Sequence, residues 1–126
     1  MRASGAEGQL PPELAEFVAL YGSGRYFDAH EALERHWRRS ADPRMLAYQG
    51  LIQWAVAFEH ARRGNLRGAE RLLAKAVPKL TAADVGLDLG PCLAAAPALA
   101  ERFACREAGP PPAAPPIRPA PGPPAP

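Results

Sequence analysis

The chain is predicted to be all-α: a compact array of four main helices in antiparallel hairpins plus a short C-terminal helix. Three observations point there. Apolar residues recur at three- and four-residue spacing, glycine and proline punctuate those stretches, and one stretch in the middle is apolar nearly all the way round, as a central helix is. The total of 126 residues suggests a single domain.

The first helix starts at Pro11 and Pro12, where a missing amide donor costs little, and carries Leu14, Phe17, Val18 and Tyr21 on one face before Gly22. Ser23 and Gly24 turn the chain into a second helix, expected over residues 26–39, and Ser40 to Pro43 combine a cap-type residue with a proline that opens the next helix. That third helix, expected over 43–63, places Met45, Leu46, Leu51, Ile52, Trp54, Val56 and Phe58 in several directions. Gly64 and Asn65 end it and cap the fourth, expected over 66–77, whose stripe is Leu66, Ala69, Leu72, Leu73 and Ala76. Pro78 is expected to bend or end that helix, and Pro97 to split a last one running from Cys92 to Arg106. The stretch from Asp84 to Leu89 is too short and glycine-broken to assign.

Two of these turns resemble each other. Gly24-Arg25-Tyr26-Phe27-Asp28-Ala29 and Gly64-Asn65-Leu66-Arg67-Gly68-Ala69 align at an offset of forty residues, and Leu33 then falls over Leu73. A glycine turn, a small residue where helices touch and a large one a turn later is also how tetratricopeptide hairpins pack. Two hairpins are fewer than an open solenoid needs, so a compact array is expected.

Composition shifts divide the chain into a flexible N-terminus (1–9), a helical folding unit (10–106) and a Pro/Ala-rich tail (107–126). Ten of the sixteen prolines follow Gly109. Proline fixes φ and removes the amide donor, so the tail is expected to be disordered and partly polyproline II, a composition that also suits a partner's aromatic groove. Net charge is +2, and between Arg25 and Lys79 eleven basic residues face six acidic ones. These arginines are scattered over several helices with no aromatic interleaving, which argues against nucleic acid as a partner and leaves a protein partner open. Cys92 and Cys105 have no CxxC or ligand-set spacing and read as buried apolar residues. The N-terminus lacks the apolar stretch of a signal peptide and no run reaches the roughly eighteen apolar residues of a membrane span, so a soluble cytoplasmic protein is expected.

The oddest stretch is His30-Glu31-Ala32-Leu33-Glu34-Arg35-His36-Trp37, where helical spacing sets His30, Glu34 and Trp37 on one face among apolar neighbours. A second polar stripe, Gln49, Gln53 and His60, lies on the third helix. If the two helices are antiparallel neighbours, two readings compete. One is a buried hydrogen-bond network, in which glutamine amides and imidazoles satisfy the carboxylates. The other is a divalent-metal site, such as zinc, with His30, Glu34 and His60 as ligands, Glu31 as general base and Trp37, Gln49 and Gln53 lining the pocket. The sequence His-Glu-x-x-Glu supplies one imidazole where His-Glu-x-x-His would supply two.

Taken together, Gly24 to Trp37, Gln49-Gly50-Leu51-Ile52-Gln53, His60 and Gly64 to Ala69 resemble the family called domain of unknown function 309, over about residues 14 to 80. That resemblance implies a small all-helical array, and His30, Glu31, Glu34, Trp37, Gln49, Gln53 and His60 occupy the family's motif positions. Members have been labelled predicted metal-dependent hydrolases. The competing function is a non-catalytic helical-repeat interaction module.

Overall fold

The computed structural model describes residues 10–121. The expected flexible N-terminus, 1–9, lies outside the described residues. Five helices follow in order: α1 Pro12–Gly22, α2 Tyr26–Glu34, α3 Pro43–Arg62, α4 Leu66–Ala82 and α5 Gly90–Ala104. Each packs mainly on its neighbours in sequence, α1 on α2, α2 on α3, α3 on α4 and α4 on α5. The all-α architecture is the one expected, and no described helix is long and apolar enough to cross a membrane.

Local chemistry explains most boundaries. Pro12, Pro43 and Pro91 open helices where an amide has no partner anyway. Asp42 accepts from the Arg44 amide at 2.8 Å and Asn65 from the Gly68 amide at 3.0 Å, so both predicted caps close their helices. The forty-residue repeat has a structural basis as well. Gly24 and Gly64 both take left-handed φ, +79° and +82°, and Ala29 and Ala69 are both wholly buried where helices touch.

Three helices differ from expectation. Helix α2 stops at Glu34, five residues early, and the chain tightens through His36 N–H to Leu33 carbonyl and Trp37 N–H to Glu34 carbonyl bonds. Trp37 therefore lies in a turn after the helix and not on its face. Helices α4 and α5 run through Pro78 and Pro97. A proline removes one backbone bond, but buried Leu80 beyond the first and buried Leu99 and Phe103 beyond the second keep each helix docked.

The core is a line of aromatic rings through four helices. Phe17 meets Tyr21, Tyr21 meets Tyr26, Tyr26 meets Phe58, and Phe58 meets both Trp54 and Phe103, with centroids 5.5 to 6.1 Å apart. Leu14, Leu33, Leu51, Leu73 and Leu80 fill the space around it.

The tail was expected to be disordered from residue 107; the structure describes it to residue 121, and 122–126 lie outside the described residues. From residue 112 to 120 the tail lies against the helices, with Ile117 4% exposed and packed in the core. Arg118–Pro119 pairs antiparallel with Leu87–Asp88, forming a two-stranded bridge that also gives the unassigned stretch before α5 its structure. The physical reason is twofold: a proline-rich segment has little conformational entropy to lose, and its carbonyls find side-chain donors on the body. Cys92 is buried as expected, whereas Cys105, just past the end of α5, is exposed.

Candidate functional site

Helices α2 and α3 pack antiparallel, as two aromatic contacts between the start of α2 and the end of α3 show. Tyr26 lies on Phe58 at 5.7 Å, and the Arg63 guanidinium sits 5.8 Å from the Phe27 ring centre. The His30 and Glu34 pair follows along α2. His30 is buried, its Nδ1 bonded to the Phe27 carbonyl and its ring edge-on to Phe27 at 4.7 Å. A carbonyl only accepts, so Nδ1 carries a proton, and in the neutral imidazole Nε2 is then the nitrogen with the lone pair. That nitrogen is 3.9 Å from Glu34 Oε2, too long for a hydrogen bond but on the same side of the helix.

The other expected site residues are placed differently. Glu31 and Glu34 are exposed, Glu34 with 61% of its side chain in solvent, because the helix turns them outward. The buried carboxylate expected there is therefore not at Glu34. His60 serves the α3–α4 turn: its Nδ1 lies 3.2 Å from Asn65 Nδ2, and its carbonyl accepts from the Asn65 amide at 2.8 Å. Gln49 and Trp37 are half-buried, and Gln53 Oε1 is buried with no hydrogen-bond partner among the described residues. Among the described residues no three His, Cys, Asp or Glu side chains come together as a metal-binding group. The residues thus fit a two-donor arrangement at His30 and Glu34 and do not fit the three-ligand set with His60.

Two buried polar centres were not anticipated. Glu59, with 6% of its side chain exposed, is clamped by Arg62 at 2.7 Å and Arg63 at 2.6 Å. The spacing i, i+3, i+4 on one helix was a legible signal. With Arg25 and Phe27 these three residues line a cleft of about 350 Å³ at the start of α2. In the second centre, Tyr48 donates to Glu13 at 2.9 Å and Arg44 Nη2 donates to the same oxygen at 3.0 Å, tying α3 to α1. No local pattern announces a contact between residues so far apart in sequence.

The Arg62 hydrogen bond, joined by Arg63, outweighs burial and holds the Glu59 carboxyl below its ordinary value of 4.5. A group with a lowered folded pKa contributes stability that is present above its unfolded pKa and lost as pH falls through the folded one. Glu59→Gln is expected to flatten the acid limb of stability below pH 4.5. Urea melts across that range check it, and an unchanged acid slope would show that the pair is too solvated to matter.

The fold and these residues define a small helical-array domain carrying a His/Glu pair on one helix face. Residues 14–72 match the family model described as Domain of unknown function (DUF309), and that stretch of the chain is similar to the family. All seven expected site residues fall inside the match. The chain is 39% identical over 79 residues to the uncharacterized protein YpuF of Bacillus subtilis (strain 168), a match covering 58% of this chain and 45% of that protein. The chain therefore spans less than half the length of this relative. No solved structure matches.

Proposed function

We propose that His30 and Glu34 form a weak divalent-cation site on α2, and that the site serves hydrolysis with Glu31 as the neighbouring base. One observation carries the reading: His30 Nδ1–H donates to the Phe27 carbonyl, which turns Nε2, the lone-pair nitrogen of the neutral ring, toward the side of Glu34. Metal-ligating histidines are oriented in this way, the second nitrogen fixing tautomer and ring direction. Burial of the imidazole between Phe27 and the helix holds that direction, while the exposed Glu34 and Glu31 carboxylates remain reachable by a substrate. A cation held there would supply Lewis acidity to a bound water. His60 is left out of the set because it is engaged with Asn65.

The test is a thermal melt with and without millimolar zinc or manganese. The expected result is a rise in Tm with the cation that His30→Ala abolishes. Glu34→Ala is expected to weaken that rise while changing the stability of the cation-free protein by less than about 0.5 kcal/mol, since the side chain is mostly solvated. An unchanged Tm in the wild-type chain at saturating cation would remove the basis of the proposal.

A second reading, a non-catalytic module built on paired hairpins, draws on the repeated left-handed glycines and buried alanines. It expects His30→Ala to leave every binding property of the chain unchanged.

A further inference from the structure

The tail meets the helices as a bound peptide does. Trp54 Nε1–H donates to the Tyr21 hydroxyl at 3.0 Å, and that hydroxyl donates to the Pro115 carbonyl at 2.6 Å. The next carbonyl, that of Pro116, faces the Cys92 thiol at 4.0 Å, and the Ile117 side chain is 4% exposed. The segment ends on a backbone bond from the Ala120 amide to the Gly86 carbonyl at 2.8 Å. Prolines offer no N–H, so an extended proline-rich segment is read through its carbonyls by tyrosine and tryptophan donors in an aromatic groove. Here two successive prolyl carbonyls and one aliphatic anchor are read in that way.

Three further observations separate a seated ligand from an integral core element. A cleft of about 510 Å³ stays open between the tail and Val18, Tyr21 and Tyr26. The link from Cys105 to Pro110 is exposed throughout and is tied to α5 by Arg102, which donates to the Glu107 and Pro110 carbonyls at 3.4 and 3.3 Å, side-chain bonds that can break without unwinding the helix. Tyr21 and Trp54 lie within the family match at 14–72, and the tail lies outside it.

We propose that the groove between α1, the start of α2 and α5 is a receptor site for an extended proline-rich segment carrying an aliphatic residue after two prolines, and that this chain's residues 111–120 occupy it in cis. The partner is a proline-rich segment of another chain, which enters when the tail is displaced. A tether this short holds the tail at a millimolar effective concentration, so the cis ligand masks the groove.

The test uses the full chain and a synthetic peptide of residues 111–121, titrated by calorimetry. Ile117→Asp, which removes the anchor, is expected to release the tail. That variant should bind the peptide one-to-one and about tenfold or more tighter than the wild type does. Adding Tyr21→Phe should weaken peptide binding about three- to tenfold by deleting one hydroxyl donor. A folded Ile117→Asp chain, shown by unchanged circular dichroism, that binds no peptide overturns the proposal, as does a Tyr21→Phe variant that binds equally well. Should Ile117→Asp fail to fold, a protease site in the exposed link lets the folded wild-type chain be cut there. Labelled peptide should then replace the severed tail in the cut protein, and failure to take it up overturns the proposal.

Discussion

Trp54→Ala is expected to destabilise the domain by about 3–5 kcal/mol, the range for emptying a large aromatic site in a core. Trp54 has no exposed surface, lies in the middle of α3, and its ring is 5.5 Å from Phe58. Truncation would leave a void bounded by several elements, because the aromatic line reaches from α1 through α3 to α5. The loss is not only apolar. The indole N–H donates to the Tyr21 hydroxyl, a buried group whose phenol burial holds well above its ordinary value and which in turn donates to the tail. Trp54→Phe keeps most of the volume and removes that donor, so about 1–2 kcal/mol is expected for it. Chemical denaturation of both variants checks the pair. A loss under about 1 kcal/mol for Trp54→Ala would mean that neighbouring side chains collapse into the site.

Gly50→Ala is expected to destabilise by about 1–3 kcal/mol, against the usual preference of helices for alanine. A Cβ at Gly50 would stand 2.7 Å from Lys79 Cβ and 3.2 Å from Leu80 Cδ2, where α3 and α4 make their close approach. The Lys79 Cβ is fixed to its own backbone and cannot rotate aside, so the helices would have to separate along the largest packing interface of the domain. Alanine would gain about 1 kcal/mol of helix propensity, which sets the sign test. A stabilised variant in a urea melt would mean that the two helices do not touch at this point. Gly50→Ser, slightly larger, should be at least as damaging.

Both predictions concern α3, whose central place was legible because it is apolar nearly all round. Helix starts were legible for the same kind of reason. A proline at the first position, the Asp42 and Asn65 caps and the left-handed Gly24 and Gly64 all act within a few residues of themselves, so their effect is written locally. Periodicity likewise placed Leu14, Phe17, Tyr21 and Leu73 on apolar helix faces, and all four are in the core.

The candidate site was only partly legible. Helical spacing put His30 beside Glu34, and they are on the same side of α2. It could not tell which carboxylate would be buried. Glu34 is solvated while Glu59, unremarked in the sequence, is enclosed with two arginines. The expected grouping with His60 failed because that residue lies at the helix end that closes on Asn65. Trp37 left the helical face once α2 ended early, where tighter turn bonds replace the helical ones.

What the sequence by itself determined is the set of helices, their caps, their apolar stripes and the repeated hairpin, since each follows from backbone geometry and hydrogen bonding over a few residues. Only the tertiary structure decided which polar groups are enclosed and where the proline-rich tail lies. Those outcomes depend on donors and apolar surface supplied from far along the chain: Tyr21 reaches Pro115 across 94 positions and Glu13 meets Tyr48 across 35. Local composition fixes how stiff such a segment is and how many bonds it must make, but the partners that satisfy them exist only once the helices have packed.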